Sequence, residues 1–275
     1  MSGPARGLPA SVPDGGARTR WPVPRSFDGI TWLASAGSVL LFLALWEGVV
    51  RLGLVDRRML PPPSTAVRES LAMVSAGLLQ ADVLASLRRA FSGFLLGSAI
   101  AITAGLLTGR VRLVRQVLEP IIQLFRPIPS IAFVPLAVLW FGLGETPKLF
   151  LVSYGVFFPV WINTHIGVST VSSDYVRAAR SLGCGRHQLF LAVILPAALP
   201  FVVAGLRTGI SIAFVVLVAA EMTGAEAGLG YRIEQSHLVF RADRMVVGIT
   251  MLGVLGALSD RLFDRVTSRF LFWAK

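Results

Sequence analysis

In this chain of 275 residues the hydrophobic set (Ala, Val, Ile, Leu, Met, Phe, Trp, Tyr, Cys) makes up 54% and charged residues only 15%. Soluble domains run near 25% charged, so this composition excludes a soluble enzyme, an intrinsically disordered protein and a disulfide-built secreted module. The net charge of +11 sits mainly between apolar runs, with no basic domain and no aromatic-plus-basic motif. It reads as the positive flanks of membrane spans rather than a nucleic-acid surface.

Residues 1–29 hold five prolines, five glycines and four arginines and have no apolar period. They are expected to form a disordered cytoplasmic tail. They do not read as a secretory signal, because the apolar run starts late and no small-residue cleavage site follows it. Residues 30–275 read as one membrane domain, with its core at about 85–268. A spanning helix needs roughly 20 mostly apolar residues. Six stretches qualify: Thr31–Val50, Phe91–Gly109, Val117–Phe141, Leu149–Val168, Leu199–Met222 and Met245–Phe263. The third is interrupted by Arg126-Pro127-Ile128-Pro129. With the N-terminus inside, the cytoplasmic segments hold 14 of the 26 basic residues and the outer ones 10. That mild bias favours both termini in the cytoplasm. Between the first two spans, Leu60-Pro61-Pro62-Pro63 forces an extended stretch. Ser64 is the expected N-cap of a short outer-surface helix over Thr65–Leu79, and Arg88 and Arg89 read as part of an interfacial helix.

The most informative segment is the loop at 169–196. Ser173 is placed to cap a helix from Asp174 to Leu182, with Asp174 at its positive end. Gly183 suits the left-handed turn that ends such a helix. Gly185 gives a second bend, a second helix follows from Arg186 to about Ile194, and Pro196 and Pro200 break the chain before the fifth span. Ala178 and Ala179 offer a smooth face that another protein can approach.

Arg177-Ala178-Ala179, three residues, Gly183, nine residues, Val193, one residue, Leu195-Pro196: this spacing resembles the EAA loop of binding-protein-dependent ABC importer permeases. Arg177 stands where the family often has Glu, and Val193 where it has Ile. Other motifs are similar to the nitrate/sulfonate/taurine/bicarbonate branch of that family. They are Arg126-Pro127-Ile128-Pro129, Val134-Pro135-Leu136, Leu139-Trp140-Phe141-Gly142-Leu143-Gly144 and Phe158-Pro159-Val160, then Gly205-Leu206-Arg207, Ala220-Glu221-Met222 and Gly228-Leu229-Gly230-Tyr231.

The resemblance implies an all-α polytopic protein of about six transmembrane helices with the type I importer permease fold, in the bacterial inner membrane. It implies a homodimer, a separate ATPase dimer and a periplasmic or lipid-anchored substrate-binding protein. ATP and magnesium would belong to the ATPase, and this chain has no G-x-x-x-x-G-K-[ST] phosphate loop. The resemblance assigns ATPase coupling to Asp174, Arg177, Ala178, Ala179, Gly183, Leu195 and Pro196. The cargo it implies is a small anion such as an aliphatic sulfonate, taurine or nitrate; uncharged or heterocyclic nutrients such as vitamin precursors, or a secondary transporter, are the alternatives.

No catalytic residue and no metal site are expected. His165, His187 and His237 lack ligand spacing, and Cys184 reads as a small residue in a tight turn. Candidate path residues are Arg126 with Pro127 and Pro129, then Arg207 and Glu221. Arg126 reads either as a pathway cation or as a partner of Glu119. Arg207 is expected to meet backbone carbonyls near the cytoplasmic end, and Glu221 the outer mouth, with interfacial anchoring as the alternative for each. Trp32, Trp46, Trp140, Trp161 and Trp273 are expected at span ends.

Overall fold

The computed structural model describes residues 29–270, and among them there are helices and turns but no strand. The expected tail and Trp273 lie outside the described residues, as do the side chains at the start of the first helix. The chain divides into two units, Met1–Trp46 and Glu47–Lys275. The first holds most of helix α1, Gly29–Arg51, which covers the predicted first span.

The second unit is built on α3 (Leu78–Arg110), α6 (Glu145–Ser169), α9 (Leu195–Met222) and α11 (Ala242–Phe270). Each is long and apolar enough to cross a membrane, giving four such helices among the described residues. A bent pair, Arg112–Phe125 (α4) with Ser130–Phe141 (a 3-10 turn leading into α5), makes up to five. Both faces of these helices are apolar. Leu84, Phe91, Leu95 and Ile100 of α3 point outward, as do Ile249, Leu258 and Leu262 of α11. Such an outer surface suits lipid, where a helix must satisfy its own backbone.

Small residues bring α3 against α6. Gly93, Gly97, Ala101, Gly105 and Gly109 recur every fourth residue, so they share one face of the helix. A Cβ at Gly97 would stand 2.5 Å from the Ser153 carbonyl oxygen, which shows how close the backbones run. The core between α3, α6 and α9 is Phe94, Val152, Val156, Val160, Trp161, Ala213 and Leu217.

The structure moves several predicted boundaries. Helix α3 has 33 residues, so Arg88 and Arg89 belong to the long helix rather than to a separate interfacial one. Their side chains interrupt the hydropathy, but helix continues wherever neighbouring elements satisfy them. Helix α2 runs Pro63–Ser75 with Pro62 at its N-cap, because proline's fixed φ suits a first turn. Ser64 is therefore not the cap; its hydroxyl and amide instead donate to the Glu47 carboxylate at 2.7 and 3.0 Å.

The third predicted span bends by 85° between its two legs. Pro127 and Pro129 lie in the break, and neither can donate the amide that a straight helix requires. By contrast, Pro196 and Pro200 do not break the fifth span. A single π turn at Phe190–Ile194 joins α8 (Arg186–Leu189) to α9. The wider turn relieves the clash that Pro196 would make with a carbonyl one turn back.

Candidate functional site

Three groups of residues carry chemistry, and each lies in a different part of the second unit. The first is the loop joining α6 to α9. Helix α7 (Ser173–Ser181) is capped by Ser172, whose hydroxyl accepts from the Asp174 amide at 3.2 Å; the cap is one residue earlier than expected. Gly183 adopts φ +83°, the left-handed turn that only glycine takes without strain. Its amide donates to the Arg180 carbonyl at 3.0 Å, and that of Cys184 to Ala179 at 3.1 Å, which closes the end of α7.

The loop has a small core of its own, in which Ala179, Leu189, Ile194 and Ala198 pack against Val168, with Cys184 half-buried beside them. Ala179 therefore faces inward, and the pair of alanines does not form one smooth outer face. The outward face carries Tyr175, Ala178 and Leu182. Arg177 is paired with Asp174 on the same helix, so its positive charge is matched within one turn. Leu195 and Pro196 form the first turn of α9, next to the π turn.

The second group lies at the opposite end of the long helices and was largely missed by sequence reasoning. Glu221 is wholly buried. Its carboxylate accepts from Ser86 Oγ at 2.9 Å, Arg89 Nη1 at 2.8 Å and the Gly230 amide at 2.9 Å. Arg89 also forks onto Glu145 through two 2.7 Å bonds. Asp82 accepts from the Gly228 amide at 3.0 Å and from Arg232 at 2.7 Å. Lys148 reaches the Gly144 and Gly224 carbonyls. The cluster ties α3, α6, α9 and α10 (Leu229–Leu238) together.

Asp82, Arg89, Lys148 and Glu221 are buried, each with partners, which is the condition for keeping ions in an apolar interior, while Glu145 joins them from an exposed position. Glu221 is thus held by partners from neighbouring helices, one residue before the end of α9. A signal was present in the sequence: Asp82, Ser86, Arg89, Gly93 and Gly97 follow one helical face.

The third group surrounds the break between α4 and α5. Arg126 is exposed, and its side chain has no ion pair or hydrogen-bond partner among the described residues. The expected pairing with Glu119 does not form, because Glu119 accepts from Gln123 at 3.1 Å instead. Arg126 keeps helical backbone as the C-cap of α4, and the chain turns only after it.

Arg126 lines a cleft of about 400 Å³ with Ser130, Tyr154, Phe158, Pro159 and Asn163. Tyr154 donates its hydroxyl to the Phe125 carbonyl at 2.9 Å, so it pins the end of α4 beside Arg126. Pro127 and Pro129 shape the turn.

Arg207 does not meet carbonyls. It bonds Asp260 at 2.9 Å through two nitrogens and Asp264 at 2.8 Å, both on α11. Nearby spans supply carboxylates that satisfy a guanidinium fork better than carbonyls do. Trp161 is also buried rather than at a span end, and donates to Thr108 Oγ at 3.2 Å. The same hydroxyl contacts His165 Nδ1 at 3.0 Å.

The family model described as "Binding-protein-dependent transport system inner membrane component" matches residues 93–271. The chain belongs to this family. Its ABC permease relatives include a probable ABC transporter permease protein of Brucella melitensis, 38% identical over 78% of this chain and 87% of that one. The putative aliphatic sulfonates transport permease protein SsuC of Bacillus subtilis is 34% identical over 88% of each chain. The taurine transport system permease protein TauC of Escherichia coli is 34% identical over 92% of each.

An inward-facing MetNI methionine ABC transporter structure shares the fold, with a TM-score of 0.61 at 20% identity over 70% of this chain and 95% of that one. This chain is therefore the membrane-spanning permease subunit of an ABC importer, with the type I permease fold. In this permease the segment that carries the EAA-like spacing folds as helix, left-handed glycine turn and helix. Arg177, the charged departure from the family pattern, is paired within its own helix.

Proposed function

We propose that this permease imports a small organic anion with a sulfonate head, driven by an ATPase dimer docked on the α7–α8 loop. The observation that carries the anion reading is Arg126, a cation without a partner at the break of an apolar span. A charge in that setting is costly unless it meets water or a counter-charge, and a passing anion supplies one. The names of the sulfonate and taurine relatives support the same class.

The loop reading rests on the capped α7, the left-handed Gly183 and the outward Tyr175, Ala178 and Leu182. Asp174, Arg177 and Gly183 then shape the docking face, while Ala179, Leu195 and Pro196 hold it on the bundle. Nucleotide-driven closure of the ATPases would press this loop and rock the spans between outward- and inward-open states. ATP and magnesium would be bound by those partners. A binding protein would deliver cargo from outside, two copies of this chain would form the path, and the loop and both termini would face the cytoplasm of a bacterial inner-membrane protein.

Uptake by the complete importer in proteoliposomes tests this reading. ATP-dependent accumulation of butanesulfonate or taurine is expected. Uptake restricted to uncharged nutrients would overturn it. The sidedness has its own test: Leu182→Cys in a Cys184→Ser background places a thiol at a position 85% exposed. Labelling by an impermeant maleimide is expected only in inside-out vesicles, with protection by the ATPase; labelling from outside would reject the topology.

A further inference from the structure

We infer that the cleft at the α4–α5 break is itself a binding site for the sulfonate, with Ser130, Phe158 and Asn163 as specificity-determining residues beside Arg126. The inference rests on the anion reading above and adds where in the permease the cargo is recognised and which cargo fits best. The cleft, about 400 Å³, falls within the size range of small-molecule sites, roughly 300–1,000 Å³.

Its chemistry changes along its length. Its lining includes two unspent donors. The Arg126 guanidinium has no partner, and neither does the Ser130 hydroxyl among the described residues. Ser130 Oγ lies 3.5 Å from where a Cβ on Gly155 would stand. It therefore sits at the level of Tyr154 and Gly155, beside the chain end that Tyr154 pins through the Phe125 carbonyl. A guanidinium and a hydroxyl lining the same cleft match the oxygens of a tetrahedral anion.

Further along α6 the lining becomes apolar, with Phe158, Pro159 and Ile162. Phe158 is held edge-on to Tyr154, with ring centroids 5.0 Å apart, which gives a rigid wall. Asn163 closes this stretch. Its amide donates once, to the Pro159 carbonyl at 2.8 Å, and one N–H remains. From Tyr154 to Asn163 the helix rises about 13 Å. The site thus presents an anion-binding head, an apolar middle and a neutral polar end.

No carboxylate among the described residues lines the cleft. The ammonium of taurine, two carbons from its sulfonate, would fall beside the apolar stretch and lose water without gaining a counter-charge, which is costly. The geometry therefore favours a short alkanesulfonate over zwitterionic taurine. Nitrate is too small to reach from the donors to the apolar wall. Ranking by the permease would act after release from the binding protein, as a second selection step.

The test uses the permease–ATPase complex in lipid nanodiscs without the binding protein, with labelled butanesulfonate as the probe in resting and nucleotide-trapped states. Wild type is expected to bind it, with taurine and nitrate competing at least about tenfold more weakly, the scale of one lost charged or apolar contact. Arg126→Gln is expected to weaken binding by about tenfold or more, a charge-assisted hydrogen bond being worth about 1.5–3 kcal/mol. Ser130→Ala and Phe158→Ala should each weaken it by about three- to tenfold. Normal assembly with the ATPase and an unchanged elution profile control for folding.

Unchanged affinity in Arg126→Gln and Ser130→Ala would overturn the cleft assignment and leave the anion reading standing. So would absence of binding in both nucleotide states while the complete importer still takes up butanesulfonate. Equal or tighter competition by taurine would overturn the proposed ranking. If the complete importer takes up no anion at all, the anion reading fails and the cleft assignment fails with it.

Discussion

Arg89 lies within a spanning helix and Arg126 at the break between two helices, and their surroundings differ completely. Arg89 is buried among Glu221, Glu145 and a backbone carbonyl; Arg126 is exposed and holds nothing. The first region spends its charges on joining four helices, so its donors and acceptors face one another. The second keeps its donors unspent beside a cleft. A saturated cluster fixes geometry, whereas an unsaturated one is available to a ligand. This difference separates a structural cation of this permease from one that is free to meet a ligand.

Removing the cation from each region should give opposite results. Arg89→Met leaves the buried Glu221 carboxylate without its cation, a loss of about 3–5 kcal/mol by analogy with broken buried pairs. It should lower the unfolding temperature in detergent sharply and reduce the yield of folded protein. Adding Glu221→Met should recover part of that loss. No recovery would mean that packing of the arginine, rather than pairing, was responsible.

Gly97→Val tests whether the saturated end depends on the close approach of α3 and α6. The added side chain meets the Ser153 backbone, and overpacking of this kind costs about 1–3 kcal/mol or more. A wild-type unfolding temperature would show that the helices have room to separate.

Gly183→Val acts on the loop alone, because left-handed backbone costs a non-glycine residue about 1–2 kcal/mol. Membrane insertion and bundle stability should persist while pull-down of the ATPase is lost. Normal pull-down would remove the coupling assignment.

Arg126→Gln should have the smallest effect on stability, within about 0.5 kcal/mol, as for an exposed side chain without partners. A large loss of stability would show that Arg126 is structural after all, and the contrast with Arg89 would collapse.

The loop was legible because its determinants are local. A serine before an acidic residue, a glycine at a fixed distance and a following Leu-Pro dictate helix, turn and helix within about 25 residues. Even there, Ser172 rather than Ser173 became the cap, since neighbouring serines compete on equal terms. Ala179 turned inward because the loop folds over its own apolar core. Prolines were read correctly only in part. At 127 and 129 the chain bends; Pro196 follows a π turn in the first turn of α9, and Pro200 lies within that helix.

By itself the sequence determined that this chain lives in a membrane, because hydropathy summed over 20 residues outweighs any single contact. It also determined the helical class and, through ordered motifs, the permease family. Tertiary structure alone decided which charges are spent. Arg89 finds Glu221 across 132 residues, Arg207 finds Asp260 across 53, and Arg126 finds no partner. Propensity and hydropathy act over a few turns, but a buried ion pair forms only where packing of distant helices brings two groups within about 3 Å.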